Sequence, residues 1–437
     1  MLDINLIREN PDLVKKGAAA KRSDVDIDKL LYADEQRRKL IGQIQEMRAA
    51  QNVAGERIAK EKDADAKKAA VDEMRELKEK MKLLEAELAD AETQLHAMLS
   101  LVPNLPSDDT PVGPDESGNV VIRTVGEPTK FDFEPKDHVA LGEAMGLIDN
   151  ETGSEVAGAR FTYIKGDLAL LQNALHQLAF SILTNKDALS AVIEEAGLSV
   201  PATPFIPVIP PLMIKPEVFQ RMARLEPREE RYHIPSDDLY LIGSAEHTLG
   251  PIHMDETFKE TDLPRRYVAY TPAFRREAGS YGKDTKGILR LHQFDKIEME
   301  SFSLPEQSRA EQDLFVAVQE HILKLLEVPY QVVQVCTGDM GGPDSRQIDL
   351  ESWMPGQGKY RETHTADLMT DYQARRLGTR VRRDSGEMQF VHMNDATCIA
   401  MGRLLIAIME NFQEADGSIH IPMALQPWMS GRTHIGK

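Results

Sequence analysis

Between residues 27 and 100 the apolar positions recur at alternating steps of three and four. In the first half they are Leu40, Ile44, Met47, Ala54 and Ile58; in the second they are Met74, Leu77, Met81, Leu84, Leu88, Ala91, Leu95 and Met98. That spacing is a coiled-coil seam. The block holds no proline and only two glycines, Gly42 and Gly55. A polar run, Glu61 to Lys68, lacks the apolar stripe and divides the two halves. The pattern predicts two long helices folded back as an antiparallel hairpin, each about 50 Å long at a rise of roughly 1.5 Å per residue.

Past the hairpin the texture changes. Residues 102–119, VPNLPSDDTPVGPDESGN, are rich in proline and acid and read as a linker between an arm (1–101) and a second domain (120–437). In that domain short β-rich runs, VVIRTV and YQVVQVC, alternate with amphipathic helices such as Leu168 to Leu183. The run QFDKIEMESF alternates, and it is too polar for a strand buried on both faces. The expected class is α+β, an antiparallel sheet flanked by helices.

Composition narrows the classes of function. The chain has 437 residues and a formal net charge of -19, which argues against a protein that coats DNA or RNA indiscriminately. Cations such as Arg48, Arg75, Lys78 and Lys82 are interleaved with acids along the hairpin, so a dimerisation seam, a solvated face and a set of phosphate contacts all stay open there. Two cysteines, Cys336 and Cys398, are too few for a disulfide scaffold or a cysteine-rich zinc site. The start, MLDINLIREN, is neither a secretory signal nor a transit peptide, and no stretch approaches the roughly 20 apolar residues of a membrane span. The expected location is the cytoplasm.

Candidate chemistry gathers between Phe274 and Glu298, FRREAGSYGKDTKGILRLHQFDKIE. A strand-like entry leads to a loop with three glycines and three cations, then to a strand-like exit. Arg275 and Glu277, two apart, would face the same way on a strand. Arginine for a phosphate and Phe294 for a base suit a nucleotide, although an exposed charged hairpin would look the same. There is no GxGxxG and no GxxxxGK[ST], which excludes the usual Rossmann and P-loop sites.

This segment closely resembles motif 2 of the class II aminoacyl-tRNA synthetases, in its seryl version. Other runs resemble the same family in the same order: PVIPPLMI (motif 1), SAEH (the TxE loop), CTGDMG, DLESWMPGQGKYRE, DYQARRL and FVHMNDATCIAMGRLLIAIMENFQ (motif 3, ending in a helix after Arg403). The hairpin and its PNLP exit match too, so the resemblance spans nearly the whole chain.

The resemblance implies a serine–tRNA ligase that makes seryl-adenylate from L-serine and ATP. It would then load tRNA(Ser), and also tRNA(Sec), with the arm gripping the long variable arm of the tRNA. It implies a homodimer through motif 1. Arg275 would bridge the α-phosphate and the serine carboxylate. Arg276 and Glu277 would contact ATP beside it, Glu277 at the adenine or ribose end. Phe294 and Arg403 would sandwich adenine, Arg403 also reaching the γ-phosphate. The run Glu362, Thr363, His364, Thr365 would contact ATP, with Mg2+ on Glu362 and Thr365. Ser244, Ala245 and Glu246 occupy the TxE positions, Glu246 toward the substrate ammonium. Glu298 would take the serine hydroxyl, and Thr397 would complete the pocket. Zinc is not expected, since no three ligands converge.

The chain departs from the family at Ser244, at Thr363-His364-Thr365, at Asp395-Ala396-Thr397, where Asn-Gly-Ser is common, and in an extra helix expected within residues 185–206. Two other readings compete: a paralogue activating a different small amino acid for a carrier protein or biosynthetic step, and an RNA-binding regulator with a dead site. The intact arm opposes the first, and retention of Arg275, Glu298, Glu362 and Arg403 opposes the second.

Overall fold

A computed structural model describes residues 1–278 and 287–436. The chain divides into two compact units, Met1–Leu105 and Pro106–Lys437.

The first unit contains α1 (Ile4–Glu9), α2 (Pro11–Ala20), α3 (Ile27–Lys60) and α4 (Ala64–Leu101). The last two form the expected hairpin, and every seam position named above is buried or half-buried. Ion pairs Arg37–Glu92 (3.7 Å), Arg48–Glu85 (3.0 Å) and Arg57–Glu73 (3.8 Å) cross between them. Numbers rise on one helix as they fall on the other, the signature of antiparallel register. These pairs are solvated and each adds little; the apolar seam does the aligning. The turn is shorter than the polar run suggests. Asp63 accepts from the backbone N–H of Asp65 and Ala66 at 3.0 and 2.9 Å, so α4 restarts at Ala64. Residues 64–68 are a capped first turn of helix rather than loop. Among α1 to α3, the buried Asp34 carboxylate takes Arg8 Nε at 2.6 Å and Arg37 Nη2 at 3.3 Å.

The second unit is built on an eight-stranded sheet. Its strands are β1 (Val120–Val125), β2 (Ile206–Pro207), β3 (Arg265–Phe274), β4 (Gln293–Ser303), β5 (Tyr330–Gln334), β6 (Arg346–Met354), β7 (Lys359–Leu368) and β8 (His392–Ala400). They lie in the order β1-β5-β6-β7-β8-β4-β3-β2. All neighbours are antiparallel except β2, which runs parallel to β3. Helices α5 (Gly166–Leu183), α6 (Lys186–Glu195), α7 (Ser308–Leu325) and α8 (Met401–Asn411) bury their apolar stripes with one face of this sheet. The shared core holds Ile297, Met299, Ile348, Leu350 and Ala366 from the strands, with Leu175, Phe315 and Leu404 from the helices. Two buried glutamines of α7 fasten helix to sheet: Gln312 donates to the carbonyls of Arg346 and Ala366, and Gln319 to those of Thr365 and Thr397.

Residues 185–206 do contain a helix, α6, capped by Asn185 and held to α7 by Glu195, which pairs with Lys324 at 2.7 Å and His321 at 3.1 Å. The run read as a linker is pinned to the second unit from Ser107 onward. Ser107 N–H donates to the Ser345 carbonyl (2.8 Å), and Cys336 N–H donates to Asn119 Oδ1 (2.9 Å). Gly113 and Gly118 press together there; a Cβ on either would lie 2.8 or 2.7 Å from the other's Cα.

Two local expectations change. Strand β4 is buried on both faces from Lys296 to Ser303, despite its polarity. Ile297 and Met299 enter the core, while Lys296 and Glu298, both buried, line the floor of a cleft. Helix α8 starts at Met401, so Arg403 sits in its first turn rather than ahead of it. Among the described residues no helix is long and apolar enough to cross a membrane.

One buried ion pair binds three parts of this unit. Arg266 of β3 is fully buried and meets Glu311 of α7 through Nε (2.8 Å) and Nη2 (2.6 Å). Its Nη1 donates to the carbonyls of Pro201 (2.9 Å) and Thr203 (2.8 Å), which lead into β2. Glu311→Gln leaves that guanidinium uncompensated and is expected to cost about 3–5 kcal/mol in urea unfolding. A loss below about 1 kcal/mol, the scale of an exposed pair, would show that the contact does not hold these parts together.

Candidate active site

Strand alternation places the chemistry. On the sheet face away from the helices, a row of cross-strand neighbours joins Asp349, Thr365, Thr397 and Glu298 on β6, β7, β8 and β4. Two bulges re-phase the strands beside this row. On β7 the register skips Thr363, so Glu362 and Thr365 both face the cleft, where strict alternation would have brought Thr363 and Arg361. On β8 it skips Cys398, which returns Ile399 to the core opposite Ile297 while Thr397 stays opposite Glu298.

The cleft has a volume of about 590 Å³. Glu298 stands in it 2% exposed, held by three donors on one oxygen: Ser244 Oγ at 2.8 Å, Thr397 Oγ1 at 3.4 Å, and the Lys296 ammonium. Glu246, also buried, accepts from Arg224 Nε at 2.5 Å. Burial alone would raise its pKa, but Arg224 outweighs that and holds it at about 2. Burial drives His247 well below its ordinary value, so its neutral Nδ1 accepts from Gly243 N–H at 3.0 Å.

Cations line the rest. Arg275 Nε donates to the Gly243 carbonyl at 3.0 Å, and its guanidinium lies 5.5 Å from the Phe294 ring centre. Burial, then the neighbouring Arg275, push Arg231 down to about 10. It stays charged at neutral pH, and two crowded guanidiniums would be relieved by an arriving polyanion. Arg275, Arg290 and Lys296 also line a smaller adjoining cavity of about 90 Å³ with Phe294, Ile288, Leu291 and Arg403. Arg403 pairs with the half-exposed Glu362 at 2.9 Å. Desolvation would raise the Glu362 pKa, yet Arg403, Lys296 and Arg275 hold it below the ordinary carboxylate range. The cleft therefore joins a cationic middle to an aromatic-lined slot on one side and an acidic pocket on the other.

Arg275, Glu277, Ser244, Glu246, Glu298, Glu362, Thr365 and Thr397 thus meet in one cleft, with Phe294 and Arg403 in the adjoining slot. Other expected residues lie elsewhere. Ala245 is core. Arg276 turns to the Tyr232 ring at 5.8 Å. Thr363 and His364 are buried outside the cleft, Thr363 Oγ1 meeting Ser352 and His364 at 2.8 Å each, because His364 faces the core opposite Leu350. Arg275 and Glu277 do not share a strand face. The strand ends at Phe274, and Glu277 takes a left-handed φ of 53°, its carboxylate accepting from Arg290 Nη1 at 2.6 Å. Most of the loop's glycines and cations fall at residues 279–286, outside the described residues.

This geometry agrees with what the chain is similar to. Residues 1–106 match the seryl-tRNA synthetase N-terminal domain, and residues 230–412 match the tRNA synthetase class II core domain (G, H, P, S and T). A serine–tRNA ligase of Thermomicrobium roseum is 40% identical over 440 residues, covering 100% of this chain and 95% of that protein. One from Brucella abortus is 40% identical, with full coverage of both. The chain belongs to the seryl-tRNA synthetases. Among solved structures, the Pyrococcus horikoshii seryl-tRNA synthetase complexed with ATP superposes with a TM-score of 0.90 at 35% identity, covering 100% of this chain and 99% of that one. The Naegleria fowleri cytoplasmic enzyme in complex with AMP gives 0.85 at 30% identity, with 100% and 98% covered.

Several cleft residues of this synthetase escaped the sequence reading. Lys296 carried a usable signal, since it lies two positions before Glu298 on an alternating strand. Asp367 and Asp395 carried the same signal, two positions from Thr365 and Thr397 on their strands, though Asp395 was singled out only as a departure from the family; Arg224 and Arg231 carried none, because tertiary contact alone brings them in.

His364 is fully buried, and burial lowers its pKa to about 3. The unfolded chain, with histidine near 6.5, binds the extra proton first, so His364 costs stability as pH falls from about 6.5 toward 3, by roughly 1.4 kcal/mol per unit. His364→Gln is expected to flatten the stability slope between pH 6.5 and 5 by about that amount. An unchanged slope in urea melts would show that His364 titrates normally.

Proposed function

We propose that this synthetase activates L-serine with ATP and transfers the seryl group to tRNA(Ser). The observation that carries the reading is the anchored, buried Glu298 and the ionised Glu246 beside a cationic cleft that opens onto an aromatic-lined slot.

In the first step a serine carboxylate oxygen attacks the α-phosphorus of ATP and pyrophosphate leaves. In the second, the terminal ribose hydroxyl of tRNA attacks the activated carbonyl and AMP leaves. No protein nucleophile is needed; positioning and charge neutralisation do the catalysis. Arg275, in reach of both cavities, would neutralise the α-phosphate and the serine carboxylate. Phe294 and Arg403 would hold adenine between them, with Glu277 at its ribose end. Glu246 would receive the substrate ammonium. Ser244, Thr397 and Lys296 all donate to one oxygen of Glu298, so the other suits the serine hydroxyl. Among the described residues no three His, Cys, Asp or Glu side chains gather around a metal. Magnesium asks for only one or two protein oxygens beside phosphates and water, so the Glu362 carboxylate, with the Thr365 hydroxyl beside it, fits the ion. When bound, the ion supplies further neutralisation of phosphate charge.

Two further parts support the same reading. In the motif 1 run, Ile209 is 98% exposed with Met213 and Leu212 also in solvent, an apolar strip suited to the twin subunit of a homodimer. On α4, Arg75, Lys78 and Lys82 are exposed at steps of three and four, so they share one face, suited to tRNA phosphates.

Pyrophosphate exchange tests the chemistry. Exchange is expected to depend on serine, with alanine poorer by about 10⁴ because one oxygen of the buried carboxylate would lose its hydroxyl donor. Glu298→Ala is expected to collapse that ratio. An ATP-binding protein that shows no serine-dependent exchange would overturn the reading. The arm has its own test. Glutamate at Arg75, Lys78 and Lys82 together should leave exchange intact and lower charging of a tRNA with a long variable arm by about 10-fold or more, as phosphate contacts are lost. Equal charging by mutant and wild type would remove this face from the tRNA interface.

A further inference from the structure

The ammonium acceptor of the proposed reaction is already taken. Glu246 is 6% exposed, and Arg224 Nε lies 2.5 Å from its Oε1, with Gln373 Nε2 at 3.4 Å from the same oxygen. A buried carboxylate needs a counter-ion whether or not substrate is present, and this one is supplied from within the chain. A substrate ammonium arriving at Glu246 would meet the guanidinium as a like charge.

The surroundings offer that guanidinium somewhere to go. Its Nη2 lies 3.6 Å from Asp344 Oδ1 and 3.8 Å from Asp395 Oδ1, outside hydrogen-bond reach by roughly half an ångström. Asp395 lines the cleft 5% exposed, and its Oδ1 has no hydrogen-bond partner. Glu300, opposite Asp395 on β4, is fully buried with both oxygens unpartnered, and Asp367, opposite it on β7, leaves Oδ1 unpartnered. Buried carboxyls left without donors are costly, and each gains when a cation moves toward it.

We propose that Arg224 is a resident counter-ion of Glu246 which the substrate ammonium displaces, and that Asp395 with Asp344 is the berth to which its guanidinium transfers. The handover rests on the reading that Glu246 receives the ammonium. It makes Arg224 and Asp395 positioning residues for the amino acid and not for ATP. It also gives the acid at position 395, where the family commonly has asparagine, a physical purpose: it stabilises the displaced arginine.

The test is a double-mutant cycle in pyrophosphate exchange, with KM measured for serine and for ATP. Arg224→Gln removes the competitor and is expected to lower the serine KM about 5- to 10-fold. Asp395→Asn keeps the shape, removes the berth, and is expected to raise the serine KM by about 10-fold. In the Arg224→Gln background Asp395→Asn should have no further effect, since there is no guanidinium left to receive. The ATP KM should stay within about 2-fold throughout. A higher serine KM in Arg224→Gln would mean that Arg224 contacts the substrate directly, and would overturn the proposal. So would an Asp395→Asn effect that persists in the double variant. If Arg224→Gln does not fold, Asp395→Asn decides alone: a raised serine KM with unchanged ATP KM supports the handover, and an unchanged serine KM refutes it. A wild-type enzyme with no serine-dependent exchange would remove the underlying reading of Glu246, and the handover with it; serine-dependent exchange with unresponsive variants refutes the handover alone.

Discussion

A charge taken out of water has to keep a partner, and the second unit is organised by that requirement. Arg266 and Glu311 meet it with full bidentate contact deep in the structure. Glu298 meets it with Lys296 and two hydroxyls, Glu246 with Arg224. In the cleft these pairings stay incomplete by design of position: cations crowd one another around Arg231 and Arg275, while acids crowd one another around Asp395 and Glu300. Arg231 and Arg275 on one side and Asp395 on the other face a space where a polyanion and a small zwitterion would complete them, while Glu300 lies buried behind Asp395.

The sheet makes this arrangement affordable in space. One face is given to aliphatic packing under α5, α7 and α8, the other to ionic chemistry, and a strand supplies both by alternation. Gln312 and Gln319 cross from the helical layer to strand carbonyls and keep the two layers in fixed alignment. The row Asp349, Thr365, Thr397 and Glu298 is thereby set by backbone pairing across four strands rather than by loops.

How far this could be read from the residues depended on the range of the forces involved. The hairpin was legible because a seam of thirteen positions is a local, repeated signal, and all thirteen are at least half-buried. Its turn was misplaced because polarity marks solvent, whereas Asp63 marks a cap. Strand β4 looked like a half-solvated strand because polarity alone does not distinguish open water from a cleft floor. Arg275, Glu298, Glu362 and Arg403 were reached through family resemblance, and the structure brings them into adjoining cavities. His364 was grouped with Glu362 because the run from Glu362 to Thr365 resembles the family's ATP-contacting tetrapeptide, although His364 faces the core opposite Leu350. Arg224 was invisible, since its meaning comes from Glu246, Asp344 and Asp395, all distant along the chain.

The single unpaired step at Thr363 has a consequence for how this segment tolerates change. The bulge is a matter of count, not of side-chain type, since it is one residue more on β7 than on β6. Substitutions between Lys359 and Leu368 act one position at a time. Were the bulge lost with every residue kept, Glu362, Arg361 and Tyr360 would turn over together, presenting arginine to the cleft and glutamate to the opposite face; deleting Thr363 itself would leave all three facing as they do. The constraint on this strand is therefore the parity between Glu362 and Thr365, which the bulge sets, more than the identity of the residue that bulges.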